Sequence, residues 1–109
     1  MLFFGQAGDL KMKRIYRFEL KLHCAETYNN MLRIVISTPY QLVKCIKVDV
    51  IRNTPSAWFI IDDEGAPSKA EIFIVGTGWS IDNSIQVNDY IGSFILEDYG
   101  EIYHCFLKM

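Results

Sequence analysis

Tyr16-Arg17-Phe18-Glu19-Leu20-Lys21-Leu22 alternates apolar and charged side chains without a break. A period of two sorts side chains onto the two faces of an extended chain, so this segment predicts a strand with one face buried and one wet. On a helix the same four apolar residues would scatter around the axis. Residues 31–37 are rich in β-branched side chains, and Pro39 closes them. Residues 42–52 follow, with Ile46, Val48 and Val50 expected on one face and Lys47 and Asp49 on the other. The run Ala57-Trp58-Phe59-Ile60-Ile61 is nearly continuous in apolar character, as a strand covered on both faces would be, and predicts Trp58 in the core.

Residues 71–75, 90–97 and 101–107 complete a set of seven expected strands. Between them lie a loop or single helical turn at 25–30, turn chemistry at Asn53-Thr54-Pro55-Ser56, an acidic loop at 62–67 and a polar loop at 80–88. Asp98-Tyr99-Gly100 suits a tight hairpin with glycine at positive φ. No run of ten or more residues holds a 3.6-residue period. The pattern predicts a single all-β domain over residues 12–109, an antiparallel β-sandwich or small barrel. Met12 opens the first strand-like pattern, so residues 1–11 are expected to be an arm or an upstream start.

Composition narrows the functional classes. Hydrophobic residues at 50% and charged residues at 22% place the 109-residue chain among globular domains, away from the disordered class. A net charge of −2 argues against an electrostatic grip on extended nucleic acid. The apolar opening Met1-Leu2-Phe3-Phe4-Gly5 is too short for a signal or a span, and no stretch approaches the roughly 18 apolar residues a membrane helix needs. Cys24, Cys45 and Cys105 are odd in number and form no C-x-x-C pair, which points to a reduced, cytosolic compartment.

Candidate chemistry is sparse. His23-Cys24 and His104-Cys105 invite a zinc reading, but neighbours on a strand point to opposite faces, and no further ligands stand at recognisable spacing. Asp62, Asp63 and Glu64 lack the spacing of a calcium loop and read as a solvated turn. There is no G-x-S-x-G elbow, no nucleophile with an attendant base and no cofactor motif, so a non-enzymatic protein without a cofactor is expected. Gly76-Thr77-Gly78-Trp79 is the feature with most potential. Two glycines around a hydroxyl let backbone N–H groups approach a phosphate, and Trp79 offers a face to a base. Arg52, at a strand end, would bring positive charge to the same rim, and Tyr90 would join it. The plainer alternatives are a strand-end turn with a packed tryptophan and a snorkelling surface arginine. Tyr90, Tyr99 and Tyr103 suit either rim packing or an interface, and the edge strands of so small a sheet protein invite pairing with a second copy.

Several segments recur together in a known order. Ile15-Tyr16-Arg17-Phe18-Glu19-Leu20, the 44–62 stretch with Pro55 and Trp58, Val75-Gly76-Thr77-Gly78, Tyr90-Ile91-Gly92-Ser93-Phe94 and Tyr103-His104-Cys105-Phe106 stand in sequence across residues 12–109. This resembles a family of small tailed-bacteriophage proteins with a P-x-x-W strand, a G-T-G turn, a Y-I-G-T-F element and a final H-x-F. Trp79 stands where that pattern has His, and Ser93 where it has Thr. The resemblance implies a phage accessory protein acting in the host cytoplasm. Together with the missing catalytic motifs and the Gly-Thr-Gly-Trp rim, it suggests a homo-oligomeric sponge that sequesters a nucleotide immune signal such as a cyclic dinucleotide. The alternatives are an inhibitor of a host defence or nucleic-acid enzyme, and a minor virion component.

Overall fold

A computed structural model of the chain describes residues 12–109, so the arm expected at 1–11 lies outside the described residues. The β-branched and aromatic runs form eight strands: β1 (Lys13–Glu19), β2 (Glu26–Tyr28), β3 (Met31–Thr38), β4 (Gln41–Ile51), β5 (Thr54–Asp62), β6 (Ser68–Gly76), β7 (Tyr90–Leu96) and β8 (Glu101–Lys108). Strands β1–β5–β4 make a three-stranded sheet and β2–β3–β6–β8–β7 a five-stranded one. Every neighbouring pair is antiparallel. The two sheets pack face to face as the expected sandwich. Among the described residues, no helix is long and apolar enough to cross a membrane.

The strand absent from the sequence reading is β2. Three residues are too few to display a period, and its only local cue is Asn29-Asn30, whose positive φ values of 44° and 69° turn β2 into β3. The turn expected at residues 53–56 sits one step earlier. Arg52 and Asn53 take the left-handed conformation, and Thr54, Pro55 and Ser56 already belong to β5. At Gly100 φ is 63°, as the hairpin between β7 and β8 requires.

The core lies between the sheets. Leu42, Val48, Ala57, Phe59 and Ile61 face Ile36, Ile72, Ile74, Phe94 and Cys105, all nearly or wholly excluded from solvent. A smaller apolar cluster forms on the outer side of the five-stranded sheet. Met31, Phe73, Val75 and Phe106 are buried there, and Ile85 packs on them from the long β6–β7 connection. That connection therefore folds back over the sheet.

Three expectations need correction. Trp58 is not in the core: β5 alternates, so Ala57, Phe59 and Ile61 point inward while Trp58 and Ile60 lie half-buried on the outer face. Ile46 does not share a face with Val48 and Val50. A register shift between Cys45 and Lys47 inserts it as an extra residue, and it is exposed while Val48 is buried. The acidic run is more than a solvated turn. Asp62 is buried and its carboxylate accepts the Glu64 N–H, while Asp63 accepts from Arg14 Nε at 3.0 Å.

Candidate functional site

On the outer face of the five-stranded sheet, Val75, His104 and Ser93 stand side by side across β6, β8 and β7. Hydroxyls engage both ring nitrogens of His104. Ser93 Oγ lies 2.7 Å from Nδ1 and Thr77 Oγ1 lies 2.8 Å from Nε2. Tyr90 Oη stands 2.6 Å from Ser93 Oγ, and Thr77 Oγ1 is 3.3 Å from the Ile102 carbonyl. The carbonyl can only accept, and that sets the direction of the whole chain. Tyr90 donates to Ser93, Ser93 donates to Nδ1, Nε2–H donates to Thr77 and Thr77 donates to Ile102. With His104 as the Nε2–H tautomer, each of these protons has an acceptor.

Tyr90 reaches this chain through a β-bulge. Ser93 pairs with His104 and Gly92 with Cys105, but Tyr90 pairs with Phe106, so Ile91 is the inserted residue. Three positions apart, Tyr90 and Ser93 would face opposite ways on a regular strand, and the bulge restores them to one face. Gly92 makes this possible. Its φ of 147° is one that other residues rarely adopt, whereas the space around it is not restrictive, since a Cβ there would make ordinary contact with Val48 Cβ of the other sheet at 3.4 Å.

The turn beside the chain is closed by the Trp79 N–H donating to the Gly76 carbonyl at 3.0 Å, with Gly78 third in the turn at φ 90°. The Trp79 ring lies over Gly76, where a Cβ would come within 2.7 Å of its Cε2, and it meets Tyr103 edge-on at 5.9 Å. Thr77 N–H donates to the Ile102 carbonyl. The amides of Thr77 and Trp79 are thus committed inside the protein, so these two N–H groups are not offered to a phosphate. Gly76, Thr77, Gly78, Trp79, Tyr90 and His104 instead line a cavity of about 360 Å³.

The connection carrying the cavity rim is pinned at two points. Asp82 accepts from Asn29 at 2.9 Å and from the hydroxyl and N–H of Ser84, and these bonds, Ser84 foremost, hold its carboxyl below the usual range. Asp89 accepts from the Gln86 N–H at 2.8 Å and pairs with Lys108 on β8 at 3.1 Å. The Gln86 bond first, then the lysine, lowers its carboxyl too.

Residues 12–109, which include all eight strands and every residue of the hydroxyl–imidazole chain, match the family described as Domain of unknown function (DUF7352). The chain belongs to this family. No curated protein and no solved structure matches it.

Of the residues singled out in the sequence, this DUF7352 domain gathers Gly76, Thr77, Gly78, Trp79 and Tyr90 around one cavity. Arg52 is elsewhere. It sits in the β4–β5 turn, on a second cleft of about 890 Å³ with Lys21, His23, Glu97 and Asp98, and Ser93 is the one residue that borders both cavities. The expectation that Arg52 shares a rim with Trp79 fails, because the turn carrying it belongs to the other sheet. The second cleft is larger, but its charges are of both signs. The smaller one has the convergent, ordered polar groups that mark a binding site. Ser93 and His104 were missed as site residues. Their signal in a sequence is a hydroxyl on one strand and a histidine on its hairpin partner, at positions equidistant from the turn.

Proposed function

We propose that this chain is a binding module that holds the base of a small nucleotide signal in the Thr77–Tyr90–His104 cavity and sequesters it without cleaving it. The observation that carries this reading is the ordered chain from Tyr90 to the Ile102 carbonyl. It leaves the Tyr90 hydroxyl oxygen, with a lone pair to spare, as a fixed acceptor at the head of the chain. Trp79 and Tyr90 add aromatic surface for a planar ligand. At about 360 Å³ the cavity is near the lower limit for ligand sites and suits one base, not a whole cyclic dinucleotide. A cyclic dinucleotide would need two copies of the chain, each taking one base, which fits the self-association expected from the sequence. The setting, counter-defence in the cytoplasm of an infected host, comes from the resemblance of the motifs alone.

The Ser93–His104 distance favours a second reading. A hydroxyl at 2.7 Å from an imidazole nitrogen meets the first geometric condition for an activated nucleophile. One experiment separates the two. Purified protein is screened by thermal shift against cyclic di- and trinucleotides and ADP-ribose derivatives, and the bound ligand is recovered and chromatographed. A shift with intact ligand that is lost in Tyr90→Phe supports sequestration, and altered ligand supports hydrolysis. No shift with any compound overturns both readings.

A further inference from the structure

We infer that the outer face of the three-stranded sheet binds single-stranded nucleic acid. The face is built in cross-strand rows. Arg17, Trp58 and Lys47 occupy one row, with the tryptophan on the central strand and a cation on each side of it. The next row is Ile15, Ile60 and Lys44, and the one beyond it is Lys13, Asp62 and Gln41. Side chains directly opposite across antiparallel strands stand about 5 Å apart, so each row is a contiguous strip.

This face is open. Ile15 is 60% exposed and Ile46, raised onto the surface by the β4 bulge, is 43% exposed. Lys47 Nζ already lies 5.8 Å from the Trp58 ring centroid, so the ring is accessible to a cation from the solvent side. The face carries Lys13, Arg17, Lys44 and Lys47. The exposed carboxylates opposing them are Glu19 and Asp49, both in the row of Ser56 at one end. Those two pair loosely, at 3.9 Å from Arg17 and 3.5 Å from Lys47, and Lys13 and Lys44 form no ion pair among the described residues. Asp62, the remaining carboxylate, is buried and bonded to its own turn.

A cationic face on a chain of net charge −2 is a local feature that the average charge conceals. It sets the kind of partner. A second copy laid on this face through its own equivalent face would bring cations against their own kind. An anionic polymer fits, and an aromatic ring on the central strand of a sheet, flanked by cations, is the chemistry that stacks an unpaired base while neutralising phosphates on both sides. A duplex keeps its base faces stacked internally and has none to offer Trp58. An acidic peptide would match the charge without using the ring.

The test is fluorescence anisotropy of the full chain with labelled oligo-dT and oligo-rU of about 12 nucleotides, a span that one small β domain can cover, with a duplex and polyglutamate as competitors. Binding is expected at about 50 mM salt and should weaken steeply by about 200 mM. The duplex and polyglutamate should compete poorly. Lys44→Glu with Lys47→Glu, both on exposed positions, should weaken binding roughly 10-fold or more with an unchanged Tm, and Trp58→Leu should weaken it roughly 5-fold or more. In a Trp79→Phe background, oligonucleotide should quench the remaining Trp58 emission. Three results would each overturn the inference: no binding of either oligonucleotide at low salt, binding unaffected by the double charge reversal, or polyglutamate competing equally while Trp58→Leu binds like wild type. The last would assign the face to an acidic protein. Because Tyr90 and His104 lie on the other sheet and Thr77 in the turn that follows its β6, Tyr90→Phe should leave oligonucleotide binding intact, so the outcome does not depend on the pocket reading.

Discussion

Ser93 and His104 are register partners on β7 and β8, with Ser93 Oγ 2.7 Å from His104 Nδ1, and this pair is the centre of a hydroxyl–imidazole chain that links two strands and one turn. A cross-strand pair on the outer face of a sheet would ordinarily be solvated. Here Tyr90 and Thr77 complete it on either side.

The directed chain predicts the tautomer of His104. Nitrogen-15 NMR of the neutral imidazole should find Nε2 protonated and Nδ1 bare. Ser93→Ala and Thr77→Val each remove one hydroxyl and its two hydrogen bonds, and should destabilise the fold by about 0.5–1.5 kcal/mol in urea titration. Ser93→Thr keeps a hydroxyl on a β-branched side chain suited to a strand, and should restore the Nδ1 signature that Ser93→Ala loses.

Gly76 and Trp79 should be coupled. A methyl group at Gly76 would sit 2.7 Å from the Trp79 ring, so Gly76→Ala should expel the indole and red-shift its emission. In a double-mutant cycle with Trp79→Ala, the penalty of Gly76→Ala should shrink markedly, because the clash has gone. Gly78→Ala meets no atom within 4 Å but is strained at φ 90°, so its effect should persist in the Trp79→Ala background.

Phe59 and Trp58 are sequence neighbours with different burial. Phe59 is wholly buried and touches Phe18 edge-on at 5.7 Å. Phe59→Ala should lose about 3–5 kcal/mol of stability. Trp58→Ala should lose less, despite removing the larger side chain, and comparison of the two urea midpoints decides it.

The three thiols should react in order of exposure. Burial first, and the neighbouring Cys45 second, push the Cys105 thiol up to about 12, while Cys24 is exposed. A thiol-specific reagent near neutral pH should therefore label Cys24 in the native protein and Cys105 only on unfolding. The sign for stability follows from the same shift. Folding favours the neutral Cys105 thiol, so its contribution is intact below the ordinary value of 9.0 and is lost as pH rises toward 12.

Acid should loosen the β6–β7 connection. Asp82 and Asp89 both have lowered carboxyl pKa values in the fold. Their anchoring is present above the ordinary value of 3.8 and is lost as pH falls through the lower folded values. Protection of the Ser84 and Gln86 amides against hydrogen exchange, compared at matched intrinsic rates, should drop in that acid window. Asp89→Asn should lower protection at Gln86 already at neutral pH.

The class of fold was legible from local pattern, alternation in residues 16–22 and β-branched or apolar runs elsewhere. Residues 16–22, 31–37, 90–97 and 101–107 announced β1, β3, β7 and β8 to within a few residues, since such patterns are properties of each segment by itself. Strand β2 was too short to show it. Trp58 was misplaced because an apolar run looks the same whether both faces are covered or one is open. The site was legible as a turn, Gly76 to Trp79, but not as a chain of hydroxyls.

What the sequence determined by itself is an antiparallel all-β domain and where most of its strands lie, because the period of two is written in neighbours along the chain. Which strands sit side by side, and where the period breaks, was decided by tertiary structure. The bulges at Val43, Ile46 and Ile91 depend on the partner strand against which an extra residue is accommodated. One such insertion lifts Ile46 out of the core, and another turns Tyr90 toward Ser93. A single added residue reverses the facing of those that follow, so residues that look opposed in the sequence meet on one face in the fold.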